Sequence, residues 1–456
     1  MKALPKRLSL VLDKLTERMT EKQSLSMRKL SINRNEEIQF GRFIGNETVN
    51  IDTLRGQLYT NMSNNQASCS HCLLIEDTST ISFSLKRAIN GLGKVDKGQV
   101  QGFYVHPVLA IDANDFGCLG VASLDFMKRE WTEEVFTRKQ VRSQRSKTAF
   151  EDKESYRWLS SIKAALPQCN NITKKTVVAD READIYPVLT GLVDDLGVDY
   201  VIRSRFDRPT KDNTSLLQEV KQWSEESCYQ IEVPATDNRS AHKAKMVIKY
   251  GQVSLKQSEG KTTKKQPKNH VTYIVEVKEL AESVVNKEKP IHWVLMSSHP
   301  VENVEMALQI VEYYKQRWNI EQVFRTLKNK GLRIESSQLE SYEKLQKITV
   351  LAFISAVKVL QLIRARDGKT QQQACIAFDK EQQECIVLLN KQMEGKTEKL
   401  KNPYQENTLA FCAWVIARLA GWSGYKSQRP SGPIDFLTGL QIFEQRFQGY
   451  CLAKIT

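Results

Sequence analysis

Four side chains in the stretch VEYYKQRWNIEQVFRTLKNK, which starts at residue 311, have the types and spacing of a phosphate-handling site. On a helix turning about 100° per residue, Tyr314, Arg317, Glu321 and Lys328 share an arc of about 60°. A carboxylate with cations one turn before and two turns after it suits metal and phosphate chemistry. The carboxylate takes the metal, Arg and Lys hold phosphate oxygens, and Tyr adds a hydrogen bond. The same spacing also describes an ordinary surface helix with an Arg–Glu i,i+4 pair, and periodicity alone favours that plainer reading. Tyr313, Ile320, Val323, Phe324 and Leu327 occupy the adjoining arc, so the polar stripe borders the buried face. Two aspartates close apolar runs elsewhere, Asp77 in HCLLIED and Asp180 in KTVVAD. Taken singly, each reads as a capping or turn residue. With only six histidines, no Ser/His/Asp or Cys/His arrangement suggests a covalent nucleophile.

The elements that must position these residues are legible from pattern. Basic, helical sequence fills residues 1–65; its first forty positions hold nine Lys/Arg against five Asp/Glu, and Leu8, Val11, Leu12 and Leu15 repeat at helical spacing. From Cys72 onward come short runs rich in β-branched and aromatic residues: HCLLIED, ISFSL, GFYVHPVLAID and GCLGVASLDF. A helix is predicted over about 155–166, a buried strand ending at Asp180, a helix in DIYPVLTGL and a strand in YVIRSR. Residues 207–300 read as a strand-rich insertion whose connections, such as GKTTKKQPKNH, are basic; those loops are as readily solvated as DNA-contacting. Beyond 300 the chain reads as helical: about 303–329, 344–366, 407–421 and 434–453, with a polar linker at 393–406. Leu409, Cys412, Ala413, Ile416 and Leu419 form a core or subunit-contact stripe.

Bulk properties narrow the class. A chain of 456 residues with 41% hydrophobic and 26% charged residues is an ordinary globular protein of several domains. The net charge of +14 favours a polyanionic partner, nucleic acid before membrane. The N-terminus has no apolar signal core, and the longest apolar stretch, 348–363, is interrupted by Lys358, so no membrane attachment and a cytoplasmic location are expected. Nine dispersed cysteines are not a disulfide framework, and Cys69-Ser-His-Cys72 lacks the second Cys/His pair of a zinc site.

Three segments together carry a family resemblance. Tyr314-x2-Arg317-x3-Glu321-x6-Lys328 is similar to the Y-x2-R-x3-E-x6-K pattern of a subgroup of bacterial DDE transposases, the cut-and-paste enzymes of insertion sequences. LLIEDTSTISFS around Asp77 resembles the family's first-aspartate strand, and VVADREADIYPVL around Asp180 resembles its D-R-E-A-D-I segment. The likeness spans about 70–340 well and 407–456 more loosely; before residue 65 it rests on FGRFIGNETV alone.

The resemblance implies an α/β protein with a ribonuclease H-like catalytic core, an all-β insertion, and helical N- and C-terminal regions. The expected divisions are an N-terminal DNA-binding segment (1–65), the first part of the core (66–206), the insertion (207–300), the rest of the core with the Glu helix (301–366), and a C-terminal dimerisation region (367–456). The 141-residue spacing from Asp180 to Glu321 exceeds what one strand-to-helix connection needs, and the insertion accounts for the excess. Asp77, Asp180 and Glu321 become metal ligands and catalytic residues. Two Mg²⁺ ions (or Mn²⁺) about 4 Å apart need such anionic oxygen ligands to offset their repulsion. Tyr314, Arg317 and Lys328 become DNA-binding residues. Trp293, in IHWVLMSS, is expected to stack on a base flipped out as the cut strand folds into a hairpin, against the plainer reading of a Trp packed in a strand. Arg203, in VIRSR, is expected near the element's end, against a solvated strand-end charge. His106, in YVHPVLAID, could approach the site but reads first as a satisfied sheet histidine, and Arg181 and Glu182 receive no chemistry.

The function expected is a DNA transposase acting as a homodimer on double-stranded DNA, both element ends and target. It would cut through a hairpin intermediate and join the ends to the target. The alternative is a non-catalytic, DNA-binding inhibitor of transposition, because the N-terminus reads as shorter than the family's. A structure-selective nuclease is a third reading, set back by the Trp293 context.

Overall fold

The unbroken apolar run Cys72–Ile75 makes a strand because both of its faces are covered. That strand is β1 (His71–Glu76). It is followed by β2 (Ser79–Phe83), β3 (Gly93–Val95), β4 (Val100–Asp112), β5 (Cys118–Met127), β6 (Lys174–Ala179), β7 (Asp199–Arg203), β8 (Ser227–Val233), β9 (His242–Lys256), β10 (Asn269–Glu279) and β11 (His292–Ser297). In the computed structural model all of these join one mixed sheet, in the order β2-β4-β1-β6-β7-β11-β10-β9-β8, with β3 and β5 also paired to β4. The structure describes residues 4–66, 68–95, 100–129, 143, 147–233, 239–257, 266–286, 288–328, 331–425 and 428–455.

Five neighbouring strands, β5-β4-β1-β6-β7, match the ribonuclease H-like core expected from the sequence, with β1–β6 and β6–β7 parallel and the rest antiparallel. β1 and β2 lie end to end along one edge of β4 in a single register: Glu76 faces Val108 and Ser79 faces Val105. Continuing that register sets Asp77 opposite Pro107, which has no amide hydrogen to complete a ladder. The strand therefore breaks at Asp77–Thr78, and an acidic side chain is released at the centre of the sheet.

The helices are α1 (Lys6–Lys22), α2 (Met27–Leu30), α3 (Arg34–Gly45), α4 (Ile51–Asn64), α5 (Arg157–Ala165), α6 (Tyr186–Thr190), α7 (Leu216–Gln222), α8 (Val304–Lys315), α9 (Trp318–Leu327), α10 (Tyr342–Ala365), α11 (Lys380–Met393), α12 (Leu409–Leu419) and α13 (Pro433–Ile455). They cover both faces of the sheet. One buried cluster joins Leu73, Ile75, Leu109 and Val201 to the N-terminal helices and to α8, α9 and α10. The other joins Leu74, Val177 and Ile202 to α5, α6 and α7. A third cluster, built from the end of α10 with α11, α12 and α13, takes in Leu409, Cys412, Ala413 and Ile416, with Leu419 packed against it. α10 is long and apolar enough to cross a membrane by composition, but 78% of its most apolar window is buried inside the protein. Such burial is that of a core helix.

Several expectations need correction. The helix read over 303–329 is two, α8 and α9, broken at Gln316–Arg317. There Gln316 and Arg317 bond back three residues, to Tyr313 and Tyr314. The Asn319 amide takes the Gln316 carbonyl at 2.8 Å, diverting a helical acceptor. Residues 207–300 are strand-rich but not all β, since α7 lies among them, and their strands extend the core sheet through the β7–β11 pairing. The helix α11 was not anticipated. The most basic loop of that segment, 258–265, lies outside the described residues.

Candidate active site

Alternation along the strands decides which side chains meet. Leu73, Ile75, Val178, Val201 and Leu295 all point to the face covered by α8, α9 and α10. Counting by twos from them places Asp77, Asp180, Arg203 and Trp293 on that same face. α8 and α9 then bring Tyr314, Arg317 and Glu321 down onto it.

The contacts follow. Tyr314, buried at 4% exposure, donates its hydroxyl to Asp180 Oδ1 at 3.1 Å. Arg317 donates through Nη1 to Asp77 Oδ2 at 3.4 Å and through Nη2 to Glu321 Oε1. The Thr78 amide donates to Asp77 Oδ1 at 2.7 Å. Burial pushes the Asp77 carboxyl up to about 6; Asp180 and Glu321 push in the same direction, while the Thr78 amide and Arg317 oppose them. Burial likewise pushes the Tyr314 phenol up to about 12, with Asp180 adding to it, so the proton stays on the phenol oxygen that faces Asp180.

Trp293 packs edge-on against Tyr314, with ring centroids 5.3 Å apart. Arg203 lies near enough to Tyr314 to act on its phenol electrostatically, though its guanidinium donates to the His292 carbonyl at 2.9 Å. Lys328 is placed differently from the other cations. Its ammonium donates to the Thr80 carbonyl at 2.8 Å and lies 3.5 Å from Glu335, which in turn accepts from the amide and hydroxyl of Ser82. The helix break between Tyr314 and Arg317 does not scatter the stripe; it turns α9 so that Arg317 and Glu321 still face the strand ends.

The donor chemistry of the three carboxylates suits a hard divalent ion, since every donor is oxygen. Among the described residues no three Asp, Glu, His or Cys side chains form a ready-made metal cage, and Arg317 stands between Asp77 and Glu321. Cys69 and Cys72 are both free and buried.

Residues 157–358 match the family model of the transposase DDE domain. The match supports a DDE transposase. It takes in Asp180 and Glu321 and begins after Asp77, so the first carboxylate enters the site through sheet geometry alone.

Two further members of the site, Arg157 and Glu76, were not foreseen. Arg157 donates to Thr78 Oγ1 at 3.0 Å and to Glu182 at 3.1 Å. His106 is fully buried between Thr78 and Glu76, as a satisfied sheet histidine should be, yet its partners flank Asp77 directly. Burial pushes His106 down to about 3 and raises Glu76 well above the usual carboxyl range. The only sequence signal for this group is the opposition of VHP to EDT across β4 and the β1–β2 junction, which needs the register to be known.

Proposed function

We propose that this chain is a DNA transposase. In this reading it binds the ends of its mobile element, cuts DNA by metal-dependent phosphoryl transfer through a hairpin, and joins the ends to target DNA. The observation that carries it is the meeting of Asp77, Asp180 and Glu321, from two strand ends and a helix, beneath Tyr314 and Arg317. Asp77, Asp180 and Glu321 would hold two Mg²⁺ ions, which supply activation of the attacking hydroxyl and offset charge on the leaving oxygen. Tyr314 keeps its proton and orients Asp180. Arg317, released from the carboxylates, would take a phosphate oxygen by a charge-assisted hydrogen bond. Trp293, carried beside Tyr314, would receive an unstacked base, and Arg203 and Lys328 the strand next to it.

The net charge of +14 supports a DNA partner. The helices of 1–65 would contact the ends, those of 367–456 would pair two subunits, and the reaction would proceed in the cytoplasm. A non-catalytic inhibitor is not favoured, because all three carboxylates and their hydrogen-bonding partners come together.

The test is cleavage of a linear duplex carrying the element's own terminal repeat, with Mg²⁺, by the wild type and by Glu321→Ala. Hairpin product from the wild type alone is expected. A wild type that binds this DNA yet leaves it uncut with either Mg²⁺ or Mn²⁺ overturns the assignment.

A further inference from the structure

Asp77 lies on one face of the sheet, and its two chain neighbours point through to the other. There, beneath α5, Glu76 and Thr78 belong to a chain of buried hydrogen bonds. Arg157 Nε reaches Thr78 Oγ1 at 3.0 Å, and Thr78 Oγ1 reaches His106 Nδ1 at 2.8 Å. His106 Nε2 lies 3.2 Å from Glu76 Oε2, which also accepts from Ser161 Oγ at 2.7 Å. His106, Ser161 and Glu76 have no exposed surface.

The chemistry of the donors fixes the first link of this chain. A guanidinium can only donate, so Thr78 Oγ1 accepts from Arg157. The Thr78 hydroxyl keeps its own proton and can give it to His106 Nδ1. In that arrangement the imidazole hydrogen sits on Nε2 and points at Glu76. Arg157 also holds Glu182, two residues past Asp180, so the same side chain ties the segments carrying two of the three carboxylates.

We propose that Arg157 and Thr78 are positioning residues for Asp77. Arg157 sets the sense of the Thr78–His106–Glu76 chain, the chain clamps both neighbours of Asp77 in the gap opposite Pro107, and the clamped Thr78 amide aims the Asp77 carboxylate at the metal side of the sheet. This rests on the transposase reading and adds to it a second layer of residues that touch neither DNA nor metal. Groups of this kind orient metal ligands, and their loss costs about 10- to 100-fold in metal affinity or activity.

Two measurements test it. Mn²⁺ binding to the full chain, followed by electron paramagnetic resonance without DNA, is expected to weaken about tenfold or more in Thr78→Val and in Arg157→Leu, and to stay within about twofold of wild type in Thr78→Ser, which keeps the hydroxyl. In protein labelled with ¹⁵N at its six histidines, with His106→Gln to assign the signal, His106 is expected to show a protonated Nε2 and an acceptor Nδ1. That pattern should persist in Thr78→Ser and be lost in Thr78→Val. Should Thr78→Val fail to fold, Arg157→Lys, which keeps the charge but not the fork, gives the same test at a partly exposed position. Wild-type Mn²⁺ affinity in folded Thr78→Val and Arg157→Leu, or a wild-type His106 protonated on Nδ1, overturns the proposal alone. A wild type that binds no Mn²⁺ at all overturns the transposase reading with it.

Discussion

Arg317 donates to Asp77 across 240 residues of chain, at 3.4 Å, while its other terminal nitrogen holds Glu321 one helical turn away. The guanidinium occupies the position between two oxygens that a divalent ion would need. Arg317→Ala should therefore bind Mn²⁺ more tightly than wild type without DNA, yet cleave end-bearing DNA about 10- to 100-fold more slowly, the scale of a lost hydrogen bond to a charged group. Weaker Mn²⁺ binding by Arg317→Ala would contradict the first half, and unchanged cleavage the second.

Tyr314 and Trp293 separate two roles that share one contact. Tyr314→Phe keeps the edge-on packing with Trp293 and removes only the hydroxyl on Asp180. It is expected to slow the first nick by about tenfold, the effect of one hydrogen bond to a charged acceptor. Trp293→Ala should leave the first nick within about threefold of wild type and suppress hairpin formation, since an unstacked base loses its platform. Single-turnover assays that resolve nick from hairpin would decide; equal loss at both steps in Trp293→Ala would refute the division.

Glu444 gives a pH dependence far from the carboxylate site. Burial pushes its carboxyl up to about 7, and Glu17, Glu21 and Asp379 push the same way, against Lys358. The folded protein thus holds this proton more tightly than the unfolded chain. Its contribution to stability is greatest below pH 4.5 and falls as pH rises towards 7. Glu444→Gln should remove that slope and stabilise the protein at pH 8 by roughly 3 kcal/mol. Denaturant titrations at pH 5 and pH 8 would test it; an identical pH 5-to-8 loss in wild type and variant would refute it.

Gly439 marks where α12 and α13 touch. A Cβ there would stand 2.0 Å from the Ile416 carbonyl oxygen, which is backbone and cannot rotate aside. Gly439→Ala should cost about 1–3 kcal/mol by forcing the helices apart. The site under α9 lies in a different apolar cluster, so Mn²⁺ affinity of the folded fraction should be unchanged. A melting temperature equal to wild type would refute the close approach.

Much of the site was legible because its residues sit in three short segments. Asp77 and Asp180 each close an apolar run, which marks both as strand ends, but the face each takes shows only once the two covered sides of the sheet are told apart. The resemblance carried by the three quoted segments also implied the ribonuclease H-like core, though not the order of its strands. The break at Gln316–Arg317 was not legible, because it depends on side-chain amides competing for backbone carbonyls. The contact of Lys328 with Thr80 and Glu335 was missed for a related reason: a helical wheel gives direction, not what the side chain meets. Arg157, His106 and Glu76 were hidden deeper, since only the register of β4 against the β1–β2 junction makes them neighbours.

The pairing of β7 with β11 has a mechanical meaning. Asp180 ends β6, Trp293 rides on β11, and the ladder from β6 through β7 to β11 is unbroken. Those two residues are carried by one hydrogen-bonded plank, so their separation is set by backbone ladders. Accommodation to the DNA of the proposed function would fall to other parts of the fold, and the joint between α8 and α9 is suited to it. Arg317 sits at that joint and Glu321 just past it, like the jaw of a vice facing a bench that carries Asp77, Asp180 and Trp293.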